Sequence, residues 1–176
     1  MKDNKFLTIL ILSFFVSCSS SNSDGESLIE IKTQIVEQKW NYTLPIINNG
    51  SFSSDLSYDL TENPDLVNIL PKITEVDIGS IHILINSFTG ETGSIEINLD
   101  RPSELLSSMT ISNIIDSIGK TNSFPITDSQ KSSLASEIIT TRALNLIANG
   151  TLKNISPLPS VISFEIVLFF SLTYES

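Results

Sequence analysis

Apolar residues fall at every second position over much of residues 28–176, the period of a strand with one face toward a core and the other toward water. Phe52, Ser54, Leu56, Tyr58 and Leu60 share one face of FSSDLSYDL, with Ser53, Asp55, Ser57 and Asp59 on the other, which predicts a half-buried antiparallel strand. Ile81, Ile83 and Ile85 alternate in SIHILINSF, and Ile95, Ile97 and Leu99 alternate in SIEINLD. The intervening TGETG supplies two glycines for a turn, so the two runs predict a hairpin. Just before it, Thr74, Val76 and Ile78 alternate with Glu75 and Asp77. Near the start, Ile29, Ile31, Thr33 and Ile35 predict a strand, with Trp40, Tyr42 and Leu44 in another or in its bent continuation. VISFEIVLFFSLTYES sets Ile162, Phe164, Ile166, Leu168, Phe170, Leu172 and Tyr174 on one face, while Val167 and Phe169 make its middle apolar on both. That is the pattern of a long interior strand.

Leu144, Leu146, Ala148 and Leu152 alternate with Asn145, Ile147, Asn149, Thr151 and Lys153, which favours a strand over a helix ended by Gly150. Two short helices are expected. Asn63-Pro64-Asp65 places a capping residue and a helix-starting proline ahead of LVNIL, and Thr127 or Asp128 caps DSQKSSLASEII, whose Leu134 and Ile138 share a face. Residues 103–118 fit either period and are read as a helical turn followed by a strand. Eight or so short strands with turns between them predict a mainly β chain, an antiparallel two-sheet β-sandwich with one or two short helices. The alternative is a β-barrel with a ligand cavity, which period alone does not separate from a sandwich.

The first residues break the alternation. MKDNK is basic, and Phe6 to Val16 is apolar except for Thr8 and Ser13, a signal-peptide pattern. As a helix rising about 1.5 Å per residue this run reaches roughly 16 Å, about half of a ~30 Å hydrocarbon core. It stops at Ser17 and Cys18, the only cysteine, so an internal disulfide is excluded and stability must come from packing. The segment Phe15-Val16-Ser17-Cys18 resembles the lipobox of bacterial lipoproteins, with Phe15 where Leu is commonest. The resemblance covers residues 1–18. It implies a signal peptide over residues 1–17, cleavage before Cys18, and acylation of the Cys18 sulfur with a further chain usual on the new amino terminus. It thereby implies a protein lipid-anchored in the bacterial cell envelope, at the outer membrane, with exposure at the cell surface one option. Two or three acyl chains, at about 0.8 kcal/mol per buried methylene, hold a bilayer far better than one.

Ser19 to Ser27, SSSNSDGES, has the composition of a flexible tether, so residues 18–27 are read as lipidated Cys18 plus tether and residues 28–176 as a single β-sandwich domain. In some bacteria acidic residues soon after the lipid-bearing cysteine direct export to the cell surface, and Asp24 and Glu26 are a weak version of that. Removing residues 1–17 takes away two lysines and one aspartate, so the formal charge goes from −10 to −11. Such a chain is repelled by phosphate backbones, and no nucleic-acid partner is expected.

Chemistry is sparse. His82 is the only histidine, which excludes any site needing two imidazoles, and its neighbours Ile81 and Ile83 take the opposite strand face, so His82 is expected at the solvent side. Glu75 and Asp77, about 7 Å apart at ~3.3 Å per residue, form the one carboxylate pair worth weighing against a simple solvated face. Asp55, Asp59, Glu62 and Asp65 bracket a turn and could offer oxygens to Ca²⁺, but EF-hand spacing is absent and capping explains them more simply. TGETG opens no helix and is not a phosphate loop, and no serine sits in G-x-S-x-G. Asn41, Asn49, Asn149 and Asn154 match N-x-Ser/Thr, and Asp116-Ser117-Ile118 resembles a short bacterial O-glycosylation motif. No catalytic residue, metal ligand or cofactor is expected, and the chain is read as a non-enzyme.

One alternative attaches to the last strand: if partly uncovered, Phe164, Ile166, Leu168 and Phe170 would line an apolar pocket or pair with another subunit's strand. The expected function is a non-catalytic binding or structural module of the envelope, held to the membrane by its N-terminal lipid, with an envelope protein or a glycan as partner. The alternatives are a carrier of an apolar ligand and an envelope glycan hydrolase using a carboxylate pair.

Overall fold

The computed structural model describes residues 29–102 and 104–176; the expected leader, Cys18 and the expected tether lie outside the described residues. Among the described residues ten strands form: β1 (Ile31–Ile46), β2 (Gly50–Asp55), β3 (Tyr58–Asp59), β4 (Ile73–Phe88), β5 (Thr92–Arg101), β6 (Glu104–Ile111), β7 (Thr121–Ser123), β8 (Ala143–Leu144), β9 (Ile147–Ser156) and β10 (Ser160–Glu175). One α-helix, α1 (Asp128–Thr141), precedes β8. Every strand pairing is antiparallel, in two four-stranded sheets of order β1-β10-β4-β7 and β2-β9-β5-β6 plus a small β3-β8 pair. This is a mainly β, two-sheet sandwich and not a closed barrel. Its inner faces meet in one core that includes Ile81, Ile83 and Ile85 from the first sheet and Ile95, Ile97 and Leu99 from the second.

That placement overturns the expected hairpin. The runs 81–85 and 95–99 do not pair with each other: β4 lies beside β10 and β7, β5 lies beside β9 and β6, and TGETG carries the chain from one sheet to the other. Alternation tells which residues face inward, and both strands of an arch between sheets satisfy it as well as both strands of a hairpin. Gly90 and Gly93 suit this crossing because a Cβ on either would run into the Phe88 ring or the Ile155 side chain.

The runs 74–78 and 81–85 belong to one strand whose parity is broken by bulges. Against β10, the register of β4 slips three times, leaving Thr74, Gly79 and Asn86 as the extra residues. Inward positions therefore sit three apart at each slip, from Ile73 to Val76, from Ile78 to Ile81 and from Ile85 to Phe88. Thr74 is consequently exposed, not on the apolar face, and Ile73 is buried in its place.

β1 is likewise one strand, paired with β10 over its whole length without a slip. Its even residues, including Val36, Gln38, Trp40 and Ile46, face inward, which turns the expected apolar row of Ile29, Ile31 and Ile35 outward. FSSDLSYDL keeps the expected alternation but is cut into β2 and β3, because Asp55 Oδ1 accepts from both the N–H and the hydroxyl of Ser57.

Around 63–70 the chain makes a series of turns instead of a helix, although Asn63 Oδ1 caps it as expected by accepting from the Asp65 N–H. Residues 104–117 reverse the expected order: strand β6 comes first and a 3-10 turn over Ile115–Ser117 follows. The α1 helix forms as expected, with Thr127 as N-cap and a reciprocal capping box to Gln130. Leu134, Ala135 and Ile138 bury its inner face. It packs on β4 and is tied to the other sheet by Gln130 Nε2 donating to the Leu106 carbonyl (2.5 Å) and Arg101 Nη2 to Glu137 (2.7 Å). The helix thus closes the side of the sandwich opposite β1 and β2.

Candidate functional site

The structure scatters most of the residues singled out in the sequence. Phe164, Ile166, Leu168 and Phe170 are 0, 0, 0 and 2 % exposed, and β10 is flanked by β1 and β4, so they are core and line no open pocket or free edge. Glu75 and Asp77 stand exposed on β4 opposite Thr173 and Ser171 and belong to neither surface depression described below. Asp59 Oδ1 is taken up by the N–H and hydroxyl of Thr61, as Asp55 is by Ser57, and no three potential metal-binding side chains converge among the described residues. Of the sequon asparagines, Asn49 accepts from the Ile155 N–H (3.0 Å) and Asn149 donates to Asp100 (2.5 Å).

His82 lies on the outer face of β4, half covered, with its ring 5.3 Å from that of Phe169. Burial is the largest influence and pushes its pKa below 6.5, against Glu165 and Glu37, which raise it, while Lys39 lowers it further. Glu37 and Lys39 form an ion pair at 2.9 Å, which raises the pKa of Lys39.

A more coherent surface is built at one end of the sandwich. The registers place the start of β1 and the end of β10 together, and the Ser176 N–H donates to the Glu30 carbonyl (2.9 Å). The opposite end gathers four connections: 47–49, 89–91, 112–120 and 157–159. They are tied to one another or to the strand ends beneath. The Glu91 N–H donates to the Ser156 carbonyl (2.7 Å), the Thr89 N–H to the Val161 carbonyl (3.0 Å), the Ile114 N–H to the Gly93 carbonyl (3.0 Å), and the Gly119 N–H to the Ile85 carbonyl (2.9 Å). Ser160 Oγ donates to the Pro157 carbonyl, and Val161 N–H to Thr89 Oγ1 (2.8 Å).

This end exposes Ile47 (78 %), Leu158 (41 %), Ile115 (39 %), Ile118 (37 %) and Val161 (37 %). Beside them lies a depression of about 240 Å³ whose lining includes Glu91, Ser94, Ser112, Asn113 and Asn154. Asn113 Nδ2 donates to Asp116 and its Oδ1 accepts from the Ile115 N–H, and Ser94 Oγ donates to the Lys153 carbonyl, so the Glu91 carboxylate, the Ser112 hydroxyl and the Asn154 amide are the lining groups with donors and acceptors to offer a polar ligand. A second depression, about 400 Å³, lies near the opposite end between Ser53, Asp55, Pro102 and Asn145. The loop end carries no signal in the sequence, because its residues are spread from Ile47 to Val161 and share no spacing.

No family model matches the chain, and no curated protein matches it. Among solved structures, a chain titled Desmodium yellow mottle tymovirus aligns with a TM-score of 0.38 and 9 % identity over 92 % of this chain and 97 % of that one. One titled turnip yellow mosaic virus aligns with a TM-score of 0.32 and 8 % identity over 100 % and 97 %. Scores this low leave function to be read from the chain itself.

Proposed function

We propose that the protein is a bacterial envelope lipoprotein, anchored through Cys18 in the outer membrane, and that it is a non-catalytic binding module presenting its loop end to an envelope protein or glycan. The observation that carries this reading is the placement of Ile29, the first described residue after the tether, at the end of the sandwich opposite the loops. A lipid at Cys18 then holds one end near the bilayer and turns Ile47, Leu158 and the Glu91 depression away from it. Loops on a rigid scaffold are where binding residues concentrate. Glu75 and Asp77, exposed on a strand face, give the hydrolase alternative no cleft to work in. The apolar-carrier alternative finds no support in the last strand, whose Phe164, Ile166, Leu168 and Phe170 are buried in the core cluster.

The test is site-specific photo-cross-linking in intact cells, with the reactive group at Ile47 or Leu158 and, as control, at Leu105, an exposed apolar residue at the far end of β6. The expected result is an adduct to one envelope component from the first two positions and none from Leu105. Equal labelling from all three positions would contradict a dedicated loop surface.

A further inference from the structure

We propose that β1 is a dimerisation edge, occupied by β1 of a second copy of this chain running antiparallel about a twofold axis at Gln38. Among the described residues β1 pairs only with β10, so sixteen residues of strand present their other edge unpaired and without a bulge. Such an edge is a template for another strand, and an isologous pair is the commonest closed assembly.

Three observations select both the occupant and the register. Gln38 is inward-facing and 8 % exposed, and its Oε1 is buried with no hydrogen-bond partner among the described residues. Its Nε2 donates one hydrogen to the Lys39 carbonyl (3.2 Å) and keeps a second. A twofold at this residue sets Gln38 against the second copy's Gln38, where the two amides satisfy each other reciprocally. The same axis sets Glu37 against the second copy's Lys39 and Lys39 against its Glu37. Moving the axis by one residue would place Glu37 or Lys39 opposite itself, a like-charge pair. The register also brings exposed Ile31 (56 %) against the second copy's Pro45, whose neighbour in β10 is the exposed Val161. Thr33 then faces Thr43 on the outer side of the joined sheet.

The proposal does not depend on lipid anchoring. The test uses the full chain in mild detergent, with sedimentation velocity over a wide concentration range and disulfide trapping between differently tagged copies. The expected result is a dimer in which Thr33→Cys on one copy traps Thr43→Cys on the other, while Thr33→Cys does not trap itself. Lys39→Glu is expected to weaken the dimer about tenfold or more, two opposed like-charge pairs replacing two favourable ones. The double variant Glu37→Lys with Lys39→Glu is expected to restore it. These side chains lie on the outer face, and thermal unfolding checks that each variant is folded. A wild-type chain that sediments as a monomer throughout, whether its edge is bare or covered by its own residues 19–28, would overturn the proposal. So would self-trapping by Thr33→Cys as efficient as the mixed pair.

Discussion

His82 is a core-flanking residue with a charged setting, and its pH behaviour follows from that. Burial lowers its pKa below 6.5, so between the folded value and 6.5 the unfolded chain binds the proton that the folded chain refuses. The stability this contributes is therefore complete above pH 6.5 and is lost as pH falls toward the folded value. His82→Gln is expected to flatten the thermal midpoint against pH in that window relative to wild type, while the carboxylate-driven loss at lower pH persists in both. An unchanged slope would show that the imidazole is solvated in both states. A second residue-scale prediction concerns Gly150, where the Phe52 ring of the neighbouring strand lies over the bare backbone and packs on Phe164 with ring centroids 5.6 Å apart. A Cβ there would collide with the Phe52 ring, so Gly150→Ala is expected to destabilise by about 1–3 kcal/mol in urea unfolding, the range for overpacking a filled core.

At the scale of elements, α1 and β10 make contrasting demands. The Thr127 cap closes reciprocally with Gln130, so Thr127→Ala is expected to cost about 1 kcal/mol, measured by the same unfolding curve. Phe164 is fully buried in an interior strand of its sheet, packs against the Tyr42 and Phe52 rings, and on truncation to Ala should cost about 3–5 kcal/mol. Both elements were legible in the sequence, the first from its capping residues and the second from apolar residues on both faces. The partners of β4 and β5 were not. Period two reports the inward face of each strand and is silent on which strand lies beside it, so an arch between sheets and a hairpin look alike. The bulges at Thr74, Gly79 and Asn86 hid the continuity of β4 for a related reason, since each reverses the parity on which the reading rests. The strand at β1 was legible as well, but the outward placement of its isoleucines was not, since period two does not say which face of a strand meets the core.

For the whole molecule, the two-sheet sandwich was legible and the loop end was not, because four connections distant in sequence make a surface only after the sheets close. On the proposed reading a lipid at Cys18 holds the end that carries Ile29, the apolar-tipped loop end lies opposite, and β1 is a lateral edge for a second copy. Each part has its own test, and anchoring is the one on which the orientation rests. The most direct measurement is the intact mass and detergent-phase partitioning of the chain made in bacteria of its own kind, beside Cys18→Ala. The account expects the wild type to lack residues 1–17, to carry the mass of two or three acyl chains and to enter the detergent phase, and expects the variant to lose all three properties. Identical masses apart from the substitution, with both chains in the aqueous phase, would contradict it.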